Sequence, residues 1–83
     1  MMRKVTIYSR PGCHLCEVAK SVIEQSDCAG KYTLDEVDIE TDQNLLSLYK
    51  NDIPVIMIDG VEAFRHRVSA DEFESAILRN QTD

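Results

Sequence analysis

The sequence has no tryptophan and few other aromatic residues, and its acidic residues outnumber its basic ones by fifteen to nine. Proteins that bind single-stranded nucleic acid stack bases on aromatic side chains and neutralise phosphates with lysine and arginine. With aromatic residues at 6% and a net charge of −6, the chain offers little of either. We therefore expect no nucleic-acid partner.

Long hydrophobic runs are also missing. The longest uninterrupted apolar run is the four residues Val55–Ile58, whereas a membrane span needs about 20 apolar residues and the core of a secretory signal needs about 7–15. The short apolar stretch that follows Arg3 and Lys4 contains Thr6 and ends early. We therefore expect no membrane partner and a cytoplasmic location, where structural disulfides are rare and closely spaced cysteines usually have a catalytic or metal-binding role.

Two of the three cysteines, Cys13 and Cys16, form a Cys-x-x-Cys pair between a strand-like run and a helical pattern. At the start of a helix they would share one face, one turn apart. Cys13 would cap the helix, and helix N-termini and Cys-x-x-Cys motifs lower the pKa of a thiol from about 8.5 to roughly 3.5–7.5. Cys16 would be more buried. The pattern predicts a thiol–disulfide oxidoreductase in which Cys13 is the nucleophile and Cys16 resolves the mixed disulfide.

The first half of the chain predicts a strand–helix–strand unit. Residues 4–9 alternate as a strand does, and a helix should run from Cys13 to about Ser26, with Gly30 as a candidate stop. The apolar positions spaced for one helix face are Leu15, Val18, Ala19, Val22 and Ile23. Residues 32–39 predict a second strand, and the helical crossover makes the two strands parallel.

The third quarter of the chain predicts a helix and a hairpin. Thr41 can cap a short helix whose apolar positions are Leu45, Leu48 and Tyr49. The apolar run Val55–Ile58 is typical of a strand buried on both faces and therefore central in its sheet. The Asp-Gly pair at 59–60 predicts a tight turn into a return strand at 61–64.

A last helix completes the predicted elements. Ser69 and Glu72 have the spacing of a capping box, and the helix should bury Phe73, Ala76 and Ile77. Residues 80–83 are expected to fray. At 83 residues, without a repeat or a linker, the chain is expected to form one domain, residues 1–83.

This order, β-α-β-α-β-β-α, resembles the thioredoxin fold and, within it, the glutaredoxins. The resemblance is carried by residues 8–16, with their Cys-His-Leu-Cys centre, by residues 53–56 and by the Asp-Gly turn. It implies an α/β fold with a four-stranded mixed sheet flanked by three helices. It also implies that the bond between Ile53 and Pro54 is cis and lies beside Cys13, and that the backbone of Ile53 pairs with the substrate.

The resemblance further implies a dithiol oxidoreductase of electron transport and cell redox homeostasis, which reduces protein or glutathione mixed disulfides through a Cys13–Cys16 redox disulfide. The centre reads Cys-His-Leu-Cys where ordinary glutaredoxins have Cys-Pro-Tyr-Cys. The Gly-Gly and the acidic pair that ordinary glutaredoxins have after the last strand are absent from this sequence. The chain is similar to a group of short glutaredoxin-like proteins. We expect a monomer without a bound cofactor, and glutathione or a thioredoxin-reductase-type enzyme is the candidate electron donor.

Three arginines are candidate substrate contacts. Arg10 lies where glutaredoxins have a lysine, and it would favour the Cys13 thiolate and reach a substrate carboxylate. Arg65 and Arg67 would grip an anionic substrate if the last strand ends near Cys13. Simple solvent exposure is the alternative for all three.

Two other classes of function compete with the enzyme. A zinc site within the chain would need ligands from Cys28, His14 and His66 in addition to the pair, and their spacing matches no zinc motif. A non-catalytic binding module, or a carrier of an iron–sulfur cluster shared between two chains through Cys13, stays open as the alternative.

Overall fold

A computed structural model of the chain describes residues 2–28 and 30–79. The elements are β1 Arg3–Ser9, α1 His14–Gln25, β2 Tyr32–Asp38, a one-turn 3-10 helix at Ile39–Thr41, α2 Gln43–Tyr49, β3 Val55–Ile58, β4 Val61–Arg65 and α3 Ala70–Leu78. The predicted order of strands and helices is confirmed. The expected fraying of residues 80–83 lies outside the described residues.

The four strands form one mixed sheet in the order β2-β1-β3-β4. β1 and β2 are parallel, as the helical crossover predicted, whereas β3 is antiparallel to both β1 and β4. The prediction of a central, doubly buried β3 is confirmed, because Val55 and Ile56 point to opposite faces and both are fully buried.

Helices cover both faces of this sheet. α1 and α3 pack on the face that carries Val5 and Ile7, where they close the main core around Phe73. Tyr8 points to the other face and stacks on Tyr49 of α2, with ring centroids 5.1 Å apart. None of the described helices has the length and apolar character needed to cross a membrane.

The predicted end of α1 near Ser26 is confirmed, whereas the candidate stop at Gly30 and the predicted cap of α2 are wrong. α1 ends at Gln25 with Ser26 as its C-cap, and Gly30 is not the stop, since the backbone N–H and the hydroxyl of Ser26 both donate to the carbonyl of Ile23. α2 is capped by Asp42 and not by Thr41, because the Asp42 carboxylate accepts the N–H groups of the first helical turn.

α1 and α2 bury fewer of their apolar residues than the spacing of those residues predicts. α1 buries Cys16, Ala19 and Ile23, but Leu15 and Val18 are 47% and 45% exposed. The sheet covers only one side of the helix, so apolar residues at the margin of the stripe stay in solvent. Leu48 of α2, predicted to be buried, is 64% exposed.

The β3–β4 turn is the predicted Asp-Gly hairpin. Asp59 and Gly60 both have positive φ, 53° and 83°, as the type I′ turn requires. The Asp59 carboxylate accepts the Lys4 N–H at 2.9 Å and pairs with the Arg3 guanidinium. The Lys4 hydrogen bond, followed by that from Arg3, lowers the pKa of Asp59 below its ordinary 3.8. The contact ties the hairpin to the start of β1.

This contact predicts a pH dependence of stability. Because the pKa of Asp59 is lower in the folded protein, its contribution is present above the unfolded pKa, near 4, and is lost as the pH falls through the folded pKa. Asp59→Asn should therefore be less stable than the wild type at neutral pH, and this difference should shrink below about pH 4. Urea unfolding between about pH 3 and pH 7 measures the difference, with Asp35→Asn as the control on an exposed carboxylate outside the helices. A difference that stays constant with pH would contradict the prediction.

Candidate active site

The two cysteines are positioned by a tight turn that leads from β1 into α1. The Cys13 N–H donates to the Arg10 carbonyl at 3.3 Å, and Pro11 and Gly12 occupy the two central positions of the turn. Gly12 has a φ of 79°, a conformation that a side chain would strain. Proline followed by a positive-φ glycine is the sequence of a type II turn. The local sequence therefore places Cys13 at the head of α1.

Cys13 is the N-cap residue of α1, as predicted. Its sulfur accepts the Cys16 N–H at 3.2 Å, and its carbonyl accepts the Glu17 N–H at 3.2 Å. The sulfur thus takes the place that an oxygen occupies in ordinary caps, facing the free N–H groups and the positive end of the helix dipole. These are the surroundings that stabilise a thiolate.

Cys13 and Cys16 are joined by a disulfide, and their Cα atoms are 5.3 Å apart. Their exposure differs as predicted: Cys13 is partly exposed, whereas Cys16 is only 2% exposed. Cys13 is therefore the more accessible of the two cysteines to an attacking molecule. This asymmetry is what a nucleophile and a resolving thiol require.

The sheet brings distant segments to the same edge as the disulfide. β1 ends at Ser9, just before the Cys13 turn, and Tyr8 near that end pairs with Val55. The bond between Ile53 and Pro54, which directly precedes Val55, is cis. That confirms the cis bond implied by the resemblance. On the far side of β3, Arg65 pairs with Val55, so β4 ends at this edge as well.

A shallow depression of about 320 Å³ opens beside the disulfide. It is lined by both cysteines, by the turn at 10–12, and by Ser9, Glu17, Glu36 and Asp38. Ser9 is 4% exposed and donates to Glu36 at 3.0 Å. The acidic residues of this lining were not among the predicted site residues. The parallel register, which pairs Ser9 with Asp38, is the signal that could have revealed it, since parallel strands end at one edge.

Arg10 and Arg65 are both engaged by carboxylates. Arg10 pairs with Glu40 at 2.6 Å. Arg65 donates two hydrogen bonds of 2.7 Å to Glu62 and lies 3.1 Å from Asp52. The hydrogen bonds with Glu62 raise the pKa of Arg65 and lower that of Glu62. Both guanidinium groups thus already have anionic partners at the protein surface.

Arg67 and the two histidines lie in solvent. Arg67 is exposed two residues beyond the end of β4, and His14 is exposed beside Cys13. His66 lies 3.2 Å from Asp52, and its backbone N–H donates to the Pro54 carbonyl at 2.8 Å. This hydrogen bond attaches the end of β4 to the cis bond. The roles of Arg10, Ile53, Arg65 and Arg67 in substrate binding stay predictions.

The third cysteine lies away from this site. Cys28 is 1% exposed and belongs to the main core, and burial raises the pKa of its thiol. Among residues 2–28 and 30–79, no three or more histidine, cysteine, aspartate or glutamate side chains are grouped so that they could hold a metal ion.

The chain is similar to known proteins in both sequence and structure. The family described as "Glutaredoxin-like domain (DUF836)" matches residues 4–78. The "Glutaredoxin-like protein YDR286C homolog" of Dictyostelium discoideum is 36% identical over an alignment of 86 positions, which covers 93% of this chain and 80% of that protein. A structural-genomics protein from X. campestris is 30% identical with a TM-score of 0.75, covering 88% of this chain and 93% of its own. A thioredoxin variant from Halobacterium salinarum shares the fold at 19% identity, with a TM-score of 0.63 over 90% of this chain and 71% of its own.

Proposed function

Because the chain belongs to the glutaredoxin-like domain family, we propose that it is a dithiol thiol–disulfide oxidoreductase that reduces disulfides through Cys13 and Cys16. The observation that carries the proposal is the pairing of an accessible helix-capping sulfur with a buried sulfur one turn behind it. A purely structural disulfide does not need one exposed partner at a helix N-terminus.

The reaction starts from the reduced pair. The Cys13 thiolate attacks one sulfur of a substrate disulfide, which forms a mixed disulfide and expels the other sulfur as a thiolate. Cys16 then loses its proton and attacks the Cys13 sulfur, so that the Cys13–Cys16 disulfide forms and the second substrate sulfur leaves. Two electrons pass from the protein to the substrate, and the two released thiolates take up protons. Two glutathione molecules or a flavoprotein reductase then return two electrons to the protein.

The helix N-terminus favours the first step. Free N–H groups and the dipole stabilise the Cys13 thiolate, and the Cys16 N–H, which already donates to that sulfur, contributes directly. A thiol with a pKa near or below neutral is ionised at cellular pH and also leaves readily when Cys16 attacks. We propose that the reaction takes place in the cytoplasm, where disulfides are transient.

Reduction of insulin disulfides tests the proposal. The protein is expected to turn over with glutathione and glutathione reductase, with a flavoprotein thioredoxin reductase, or with dithiothreitol as the electron donor, and comparison of the three identifies the physiological type. Alkylation of the reduced protein between about pH 5 and pH 9 provides the second measurement. Cys13 should react fastest and at the lowest pH, and Cys28 should react only on unfolding. Equal alkylation of Cys13 and Cys16, with no turnover by any donor, would refute the proposal.

A further inference from the structure

Any disulfide that Cys13 attacks must bring its own neighbouring residues over the surface around the helix cap. Cys13 lines a depression that is also lined by Glu17, Glu36 and Asp38. Two of these carboxylates are engaged within the protein, since Glu36 accepts hydrogen bonds from Ser9 and Lys20 and Asp38 accepts the Glu40 N–H. Their negative charges nevertheless remain beside the surface that an incoming disulfide approaches. Their charge acts on the substrate before and during the attack.

The nearby cations do not balance these carboxylates. Arg10 pairs with Glu40 at 2.6 Å, and Lys20 pairs with Glu36 at 3.2 Å. Each of these two cations is thus matched by one carboxylate, so the negative charges of Glu17 and Asp38 are not balanced by either of them. Glu17 is exposed on the first turn of α1, four residues from Cys13. The surroundings of the reactive sulfur carry a net negative charge.

The other flank of α1 carries no compensating charge. Leu15 precedes Glu17 by two residues, which places it about 200° away around the helix. Leu15 and Val18, one turn apart, leave this flank apolar and about half exposed. At the end of β4, Arg65 pairs with Glu62 and Asp52, and Arg67, two residues further on, is exposed. These four charges sum to zero, so this edge adds no net positive charge.

We infer that the site selects disulfides of proteins in which lysine or arginine flanks the reacting cysteine, in preference to glutathione disulfides. Glutathione carries two carboxylates and one ammonium group, so its net charge is negative and the depression repels it. A basic flank is attracted instead, and such steering raises association rates by about tenfold or more at low salt. This inference rests on the proposed function and names its substrate class.

The test compares two disulfide-cyclised peptides that differ only in the residues flanking their cysteines, two lysines in one and two glutamates in the other. The reduced protein is mixed with each oxidised peptide, and second-order rate constants are measured by acid quench and mass spectrometry. Each constant is divided by that for dithiothreitol, an uncharged dithiol, because flanking charges also change the intrinsic reactivity of a disulfide. We expect the lysine peptide to react about tenfold faster in about 50 mM salt, and the ratio to approach one in about 1 M salt.

Matched variants assign the preference to this surface. Glu17→Gln should lower the lysine-to-glutamate ratio about twofold to threefold. A change in the reactivity of Cys13 itself would alter both rates alike and leave the ratio unchanged. Asp35→Asn removes the same charge from β2, but its side chain points away from Glu36 to the opposite face of the sheet, so the ratio should stay near that of the wild type. A parallel assay with oxidised glutathione should give a slower reaction than the lysine peptide.

Two results separate the failure of this inference from that of the proposed function. Equal normalised rates for the two peptides, or faster reaction of the glutamate peptide or glutathione, would overturn the preference and leave the redox reaction standing. No reaction with either peptide would refute the reductase itself, and the inference with it.

Discussion

Cys13→Ser is expected to reduce the rate of disulfide reduction to the uncatalysed background. A serine hydroxyl is not ionised near neutral pH and cannot form a mixed disulfide, so the first step has no nucleophile. Cys16 cannot replace it, because only 2% of Cys16 is exposed. Insulin reduction with dithiothreitol as donor, measured at equal protein concentrations, gives the comparison.

Cys16→Ser should have a different consequence. The first attack still occurs, but no thiol resolves the intermediate, so a stable adduct on Cys13 should accumulate and be visible as a mass increase. Cys28→Ala is the matched control, because Cys28 is buried in the core and has no part in the proposed reaction. Turnover by Cys13→Ser at a rate close to that of the wild type would assign the chemistry to another group.

Phe73→Ala is expected to cause the largest loss of stability. The side chain is fully buried in the core between the sheet and α3, and its ring meets that of Tyr32 edge-to-face at 5.3 Å. Truncation of a buried phenylalanine to alanine costs about 3–5 kcal/mol, since the transfer free energy is lost and a cavity remains. Small domains have total stabilities of about 5–15 kcal/mol. Urea unfolding should therefore show a large fall in the midpoint, or an unfolded chain.

Two further variants keep this prediction testable if Phe73→Ala does not fold. Phe73→Leu preserves most of the apolar volume, so it should also lower the free energy of unfolding, but by less than Phe73→Ala does. Leu78→Ala, on the same helix but at a side chain that is 49% exposed, should cost about 1 kcal/mol or less. Equal losses for Phe73→Leu and Leu78→Ala would mean that Phe73 does not anchor the core.

Features that depend on residues close in the chain were predictable. The Pro-Gly turn, the cysteine at the helix cap and the second cysteine one turn later all lie within six residues, 11–16, and backbone geometry alone places them together. The same holds for the hairpin at 59–60 and for the Ser69–Glu72 capping box, which is present with both of its hydrogen bonds. Each is a local interaction whose partners cannot move far apart.

The predicted cap of α2 and the predicted buried face of α1 were wrong because each depends on more than the local sequence. Thr41 and Asp42 are both good caps, and the one-turn 3-10 helix at Ile39–Thr41 moves the start of α2 to the second of them. Leu15 and Val18 have the spacing of a buried face, yet the part of α1 that is covered depends on where the sheet and α3 lie.

By itself the sequence determined the reactive centre, since a disulfide between residues three apart needs only one turn of helix to form. It also determined the order of strands and helices, because the period of the apolar residues sets the type of each element. Only the tertiary structure decided the charge around that centre. Glu36 reaches Ser9 across 27 residues and Glu40 reaches Arg10 across 30, and such pairs form only when the parallel strands β1 and β2 bring their ends to the same edge of the sheet.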